Sequence, residues 1–190
     1  SAIFLFLYLY FFLGLNRRFF LIGLNELGLL FLAGILIAIN WYGFIYAVTS
    51  GNALQASLGY YIFPIVAVFL GIVFKREKFT IIQTLAICLV IIAVVSLIYM
   101  NGEVPGLALI LAFSFGFYGL IKSTVKLNPI SSVAYETILI TPLVIIVMIF
   151  FTEPTLNREN IFADSTLILL IFSGLITAVP LVLFSSGTKV

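Results

Sequence analysis

The sequence predicts an all-α fold: a polytopic bundle of transmembrane helices. Three observations predict it. Hydrophobic residues make up 64% of the 190 residues and charged residues 8%, where soluble domains carry roughly 25% charge. Seven apolar stretches, each near the ~20 residues that a helix needs to cross the hydrocarbon core, fill almost the whole chain. Positive charge falls almost entirely on one side of those stretches. Closed β-barrels also span membranes, but they require apolar/polar alternation, and Ile81 to Met100 shows none.

The expected helices lie near 1–15, 29–49, 53–74, 79–100, 106–121, 130–151 and 166–186. Because they alternate across the bilayer, their loops sort into two sides. One side holds Arg17, Arg18, Lys75, Arg76, Lys78, Lys122, Lys126 and Lys189, and the other holds Arg158 with Glu103, Glu153, Glu159 and Asp164. Cytoplasmic loops attract Lys and Arg, so the first side is the cytoplasmic one. Each charged cluster then serves as a topology determinant. The chain starts and stops in apolar runs, so a piece of a longer protein is expected, truncated at both ends.

The 29–49 helix carries Asn40 near its middle. An amide in hydrocarbon costs several kcal/mol, roughly 2–7 by reference state, so Asn40 faces protein or water. It serves an interhelical hydrogen bond or lines a cavity. Trp41 beside it is core packing or a stacking wall for a substrate. In the 53–74 helix Pro64 removes its own N–H bond and displaces the carbonyl near Tyr60. Ser57, Tyr60 and Pro64 share a face at helical spacing. That face is either a tolerated kink or a substrate-facing wall hinged at Pro64.

The 106–121 helix sets small residues, Ala112, Gly116 and Gly119, along one side for close packing. Ser114 and Tyr118 occupy another face and are cavity candidates, with Tyr118 alternatively an interfacial belt residue near Lys122. The sixth helix is expected to start at Asn128-Pro129, with Asn as N-cap and Pro at N1. Glu136 then lies about two turns in, on the order of 10 Å from the start. It reads as the one ionisable residue inside a span, a functional candidate by default. The competing reading places it in the headgroup zone, where acids favour a helix N-terminus. Pro142 and Pro180 add kinks to the last two helices.

Leu32-Ala33-Gly34-Ile35-Leu36-Ile37-Ala38-Ile39-Asn40 aligns with Phe172-Ser173-Gly174-Leu175-Ile176-Thr177-Ala178-Val179-Pro180 at an offset of 140. The two helices are an odd number of spans apart and so run in opposite directions. Inverted repeats of this kind build transporters around a midplane site. A doubled five-helix unit predicts about ten helices in the complete protein.

Several chemistries find little support. There is no histidine and a single cysteine, Cys88. No thiol or imidazole metal cluster, disulfide framework or catalytic set is therefore expected. There is no phosphate-binding Gly-rich loop, no expected cofactor, and no concentration of basic residues for nucleic acid. The expected partners are a small-molecule substrate and the lipid bilayer.

Asn40-Trp41, then Ala56-Ser57-Leu58-Gly59-Tyr60 with Pro64, resembles the RarD type of EamA permease in the drug/metabolite transporter superfamily. So do Leu111-Ala112-Phe113-Ser114-Phe115 with Phe117-Tyr118-Gly119-Leu120, Glu136-Thr137 with Pro142, and Val179-Pro180-Leu181. The resemblance runs through essentially the whole chain in register. It implies two inverted five-helix repeats, with residues 1–100 the remainder of the first and 106–190 the start of the second. It implies a multi-pass permease of the cell membrane and leaves the substrate open. Gln55 stands where the family pattern usually has Glu, and Phe63 where it has Asn. Proton coupling through position 55 thereby loses weight, and Glu136 gains it.

The leading functional expectation is a secondary transporter binding its substrate through Asn40, Trp41, Ser57, Tyr60, Ser114, Tyr118 and Glu136, with hinges at Pro64, Pro142 and Pro180. A helical membrane scaffold without transport activity is the alternative, and an intramembrane enzyme a weaker one. The orientation is tested by thiol labelling in a Cys88→Ala background. Cysteines at Asn52 and Asn157 should react with an impermeant reagent from outside, and a cysteine at Lys126 should not. The reverse pattern would overturn the assignment.

Overall fold

The computed structural model describes residues 22–76, 80–101, 104–151 and 164–188. They form six helices: α1 Leu24–Thr49, α2 Ala53–Lys75, α3 Ile81–Asn101, α4 Gly106–Thr124, α5 Pro129–Phe151 and α6 Asp164–Gly187. No strand occurs among the described residues. The helix expected over 1–15, the loop charges Arg17, Arg18, Lys78, Glu103, Glu153, Arg158 and Glu159, and Lys189 lie outside them. Four helices, α1, α2, α4 and the Pro129–Val147 part of α5, are long and apolar enough to cross a membrane. The apolar stretches within α3 and α6, Ile81–Ser96 and Phe172–Gly187, are shorter.

Local chemistry accounts for where the helices begin and end. At the end of α1, Gly51 takes φ +81, open to glycine without steric penalty. Asn52 N–H then reaches back to the Ala47 carbonyl at 2.7 Å and Gly51 N–H to Val48 at 3.3 Å. This pair of bonds is a Schellman closure, which satisfies carbonyls that a helix C-terminus otherwise leaves open. α2 ends at Arg76, whose φ of 57 puts a non-glycine residue in the left-handed region. Its N–H turns back onto the carbonyls of Gly71 and Ile72.

At the start of α3, Thr80 and Gln83 form a reciprocal capping box. Gln83 N–H donates to Thr80 Oγ1 at 3.3 Å, and Thr80 N–H donates to Gln83 Oε1 at 2.9 Å. Each side chain satisfies a donor the helix start would leave open. α5 begins as the sequence predicts: Pro129 is its first residue, and Ile130 N–H donates to Asn128 Oδ1 at 3.4 Å.

The chain packs as two units. One is Ile35–Ile121, and the other comprises the described residues of 1–34 and 122–190. In the first, Ile62, Val66 and Leu70 of α2 bury against Ala108 and Ala112 of α4, with Val94 of α3 at the margin. Ala47 of α1, Ala56 of α2 and Leu111 of α4 form a second small cluster. In the other unit, Val133 and Ala134 of α5 bury against Ala178 of α6, flanked by Ile130, Leu181 and Val182. Large apolar side chains such as Ile82, Leu89 and Phe150 point outward. Soluble proteins seldom expose so many together, and a bilayer is the solvent that accepts them.

Small residues set the approach of α2 to α4. A Cβ on Gly59 would stand 2.9 Å from Leu111 Cβ and 3.0 Å from the Ala108 carbonyl oxygen. A Cβ on Gly116 would stand 2.7 Å from Val66 Cγ1. The small-residue side read on α4 is a packing face at Ala112 and Gly116. At Gly59 the obstructing atoms include backbone, so relief requires helix movement. Gly59→Ala should therefore lower thermal stability in detergent by about 1–3 kcal/mol, the range for overpacking. Gly28→Ala, where nothing lies within 4 Å, should be neutral or slightly stabilising. Equal effects of the two would remove the close-approach argument.

Candidate functional site

Asn40 sits in α1 with 1% of its surface exposed. Its Nδ2 donates to the Leu111 carbonyl at 2.9 Å and to Ser114 Oγ at 3.2 Å, both on α4. Ser114 Oγ also donates to the Leu111 carbonyl at 3.1 Å. Of the two roles open to Asn40 from sequence, the interhelical hydrogen bond is the one its Nδ2 performs. Two predicted site residues, Asn40 and Ser114, thus come together in one buried network.

The other candidates in this unit divide by exposure. Trp41, Ser57 and Tyr60 are exposed. So is Pro64, and the face predicted from spacing, Ser57, Tyr60 and Pro64, is indeed one open surface. Ser57 Oγ donates back to the Ala53 carbonyl at 3.2 Å. Tyr60 meets Phe44 of α1 edge-on, with ring centroids 5.8 Å apart. Tyr118 is fully buried and stacks on Phe115 at 5.8 Å. A belt residue at a membrane interface keeps its polar tip wet, so burial corrects the belt reading of Tyr118.

The two departures from the family pattern have structural roles. Gln55 Oε1 accepts from Leu107 N–H at 3.3 Å, capping the first turn of α4. The amide supplies the acceptor that a carboxylate would, without its charge. Phe63 packs on Phe115 with centroids 4.7 Å apart, filling its place with apolar contact where an amide would need a partner.

The other unit holds the largest departure from the sequence reading. Lys122, taken there as a loop charge, lies within the last turn of α4 and has no exposed surface. Its Nζ donates to Glu136 Oε2 at 2.8 Å and to Ser132 Oγ at 2.8 Å. Ser132 and Glu136 are one turn apart on α5, so a single ammonium bridges both. Glu136 is 2% exposed. α1 closes over it at Gly34, where an added Cβ would lie 3.4 Å from Glu136 Cγ and 3.3 Å from its carbonyl oxygen. Glu136 is thus not the sole ionisable group inside a span. A carboxylate so placed demands a counter-charge, and that demand was the signal for Lys122. Pro64, Pro142 and Pro180 each lie inside their helices.

Apolar helices facing outward, with an amide network and an ion pair kept inside, define a multi-pass helical membrane protein. The chain belongs to the EamA-like transporter family, whose model matches residues 1–99. It is 41% identical over 160 residues to the uncharacterized transporter YojE of Bacillus subtilis, covering 84% of this chain and 53% of that protein. It is 35% identical over 163 residues to the protein RarD of Escherichia coli, covering 86% and 55%. It is 34% identical over 157 residues to an uncharacterized transporter of Pseudomonas aeruginosa, covering 83% and 53%. The chain spans about half the length of these curated relatives. No solved structure matches it significantly. Family and helices together place it in the cell membrane as a multi-pass protein.

The ion pair generates a stability prediction. Breaking a buried pair from one side costs about 3–5 kcal/mol, whereas replacing both partners by apolar groups is often neutral. Lys122→Met should therefore lower the unfolding temperature and cellular abundance sharply. Lys122→Met with Glu136→Leu should recover most of the loss. A double variant no better than the single one would show that the two charges do not face each other.

Proposed function

We propose that the complete protein is a secondary transporter, a permease that carries a small metabolite or drug across the cell membrane by alternating access around a midplane site. Membership of a transporter family is the observation that carries the class. The polar residues kept inside apolar helices support the rest, because side chains of that kind mark substrate and ion pathways in membranes. Residues 1–100 and 106–190 would belong to successive inverted repeats. Repeats are units of chain topology, and they need not coincide with the units that pack most tightly.

In this reading the exposed side chains Trp41, Ser57 and Tyr60 offer an indole, a hydroxyl and a phenol to an amphipathic substrate. Asn40, Ser114 and Tyr118 are the buried candidates of the same unit, and Glu136 is the candidate of the other unit. Pro64, Pro142 and Pro180 are the hinge points, since each removes a helix-spanning N–H bond. The scaffold alternative requires no water at Ser57 or Tyr60, so access to those positions separates the two readings.

A ligand-stabilisation screen of the full-length protein identifies a candidate substrate, and counterflow in proteoliposomes measures its movement. Cysteines at Ser57 and Tyr60, in a Cys88→Ala background, should be labelled slowly and be protected by that substrate. A cysteine at exposed Phe69 should show no protection. Tyr60→Ala should reduce transport well beyond any fall in abundance. Parallel loss of transport and abundance, or absence of substrate protection, would return this face to packing.

A further inference from the structure

Lys122 and Glu136 form an electroneutral pair whose side chains are 0% and 3% exposed. Packing alone gives no reason for charge here, because apolar side chains of similar volume join helices at least as well. Protonating Glu136 by itself would convert the pair into a buried net cation. Bringing in an anion by itself would make the same place a buried net anion. Both half-steps are opposed by the cost of an uncompensated charge away from water. Taken together they leave the net charge at zero.

From this we infer that the Lys122–Ser132–Glu136 cluster takes up a proton and a monoanionic oxyacid group of a ligand together. The incoming oxyanion replaces Glu136 Oε2 as acceptor for Lys122 Nζ, and the Ser132 hydroxyl can turn to donate to it. The proton comes from water and forms an O–H bond on the Glu136 carboxylate. No electrons are transferred and no other bond breaks. Lys122 keeps its charge throughout and acts as the positioning residue that links the two events.

Few other charged groups lie near Glu136 among the described residues. Among the described residues, α4 presents Lys122 to it as a charged group, and α5 carries Tyr135 beside it in sequence. α1 contributes the bare backbone of Gly34 at the contact, and its own acid, Glu26, lies eight residues away, about 12 Å along the helix. The titratable residue of α6 is Asp164, its first residue, at the opposite end from the Leu181 and Val182 that pack near Ile130.

The inference deepens the transport reading by naming an anionic ligand coupled to a proton, and it rests on that reading only for its use in the cell. Its test measures binding, so it can fail while transport stands, and the converse. The probe is methanesulfonate, a monoanion of a strong acid that carries no titrating proton of its own. Thermal unfolding of the full-length protein in detergent is followed against methanesulfonate, with the bulky monoanion gluconate at equal ionic strength as control.

Glu136→Gln, which mimics the protonated acid, should be stabilised by methanesulfonate to the same extent across acidic pH. In the wild-type protein the apparent affinity should weaken about tenfold per pH unit, as one linked proton requires. Lys122→Met combined with Glu136→Gln should not respond. Should Glu136→Gln fail to fold, the wild-type protein still decides, because in weakly buffered solution it should take up about one proton per anion bound. A pH-independent or absent wild-type response, binding without proton uptake, or an equal response in the double variant would each overturn the inference.

Discussion

The contact between Lys122 Nζ and Glu136 Oε2, 2.8 Å long and sealed from solvent, is the interaction on which most else in its unit depends. Inside a membrane neither charge has water to fall back on, so the two must be brought together by helix placement. That placement requires α4 to run on to Thr124, α5 to start at Pro129, and α1 to lie against α5 at Gly34. Ser132, one turn before Glu136, gives the ammonium a second acceptor. Together these contacts make one polar cluster from α4 and α5, with Gly34 of α1 packed against it.

The same constraint operates without charge in the Ile35–Ile121 unit. Asn40 would be costly in hydrocarbon, and α4 answers it with a backbone carbonyl and a hydroxyl. Gln55 caps α4 in turn. Apolar contacts between helices gain little in lipid, where tails are as apolar as leucine. Close approach at Gly59 and Gly116, with polar groups matched across helices, therefore carries the association. Asn40, Ser114 and Gln55 thus each join helices through a hydrogen bond.

Much of the fold is legible in the sequence because hydrophobic run length measures a bilayer directly. The 53–74 reading meets Ala53–Lys75, and 130–151 meets Pro129–Phe151. Ends set by capping were legible only where the capping pattern was read. Asn128-Pro129 announced α5, while Thr80 and Gln83 announced α3 in the same way and went unread. The start of α1 at Leu24 was missed because Asn25, Glu26 and two nearby glycines interrupt the apolar run.

The site was legible by residue type and not by partnership. Helical spacing put Ser57, Tyr60 and Pro64 on one face, and that face is open. No periodicity connects Asn40 to α4, more than seventy residues later, so its partner had to come from the structure. Lys122 was lost to a rule that is sound on average, that lysines near span ends mark loops. A long flexible stem lets a lysine at the end of a helix reach back toward the interior, and the lone carboxylate on α5 gave it a reason to.

The 2.8 Å contact with Lys122 implies that the buried Glu136 carboxylate is ionised. Infrared difference spectroscopy of the full-length protein in lipid, wild type minus Glu136→Gln, reads this directly. A band of an ionised carboxylate that belongs to Glu136 is expected, replaced in Lys122→Met by the carbonyl band of a protonated acid. A protonated-acid band for Glu136 in the wild-type protein at neutral pH, or an unchanged carboxylate band in Lys122→Met, would contradict it.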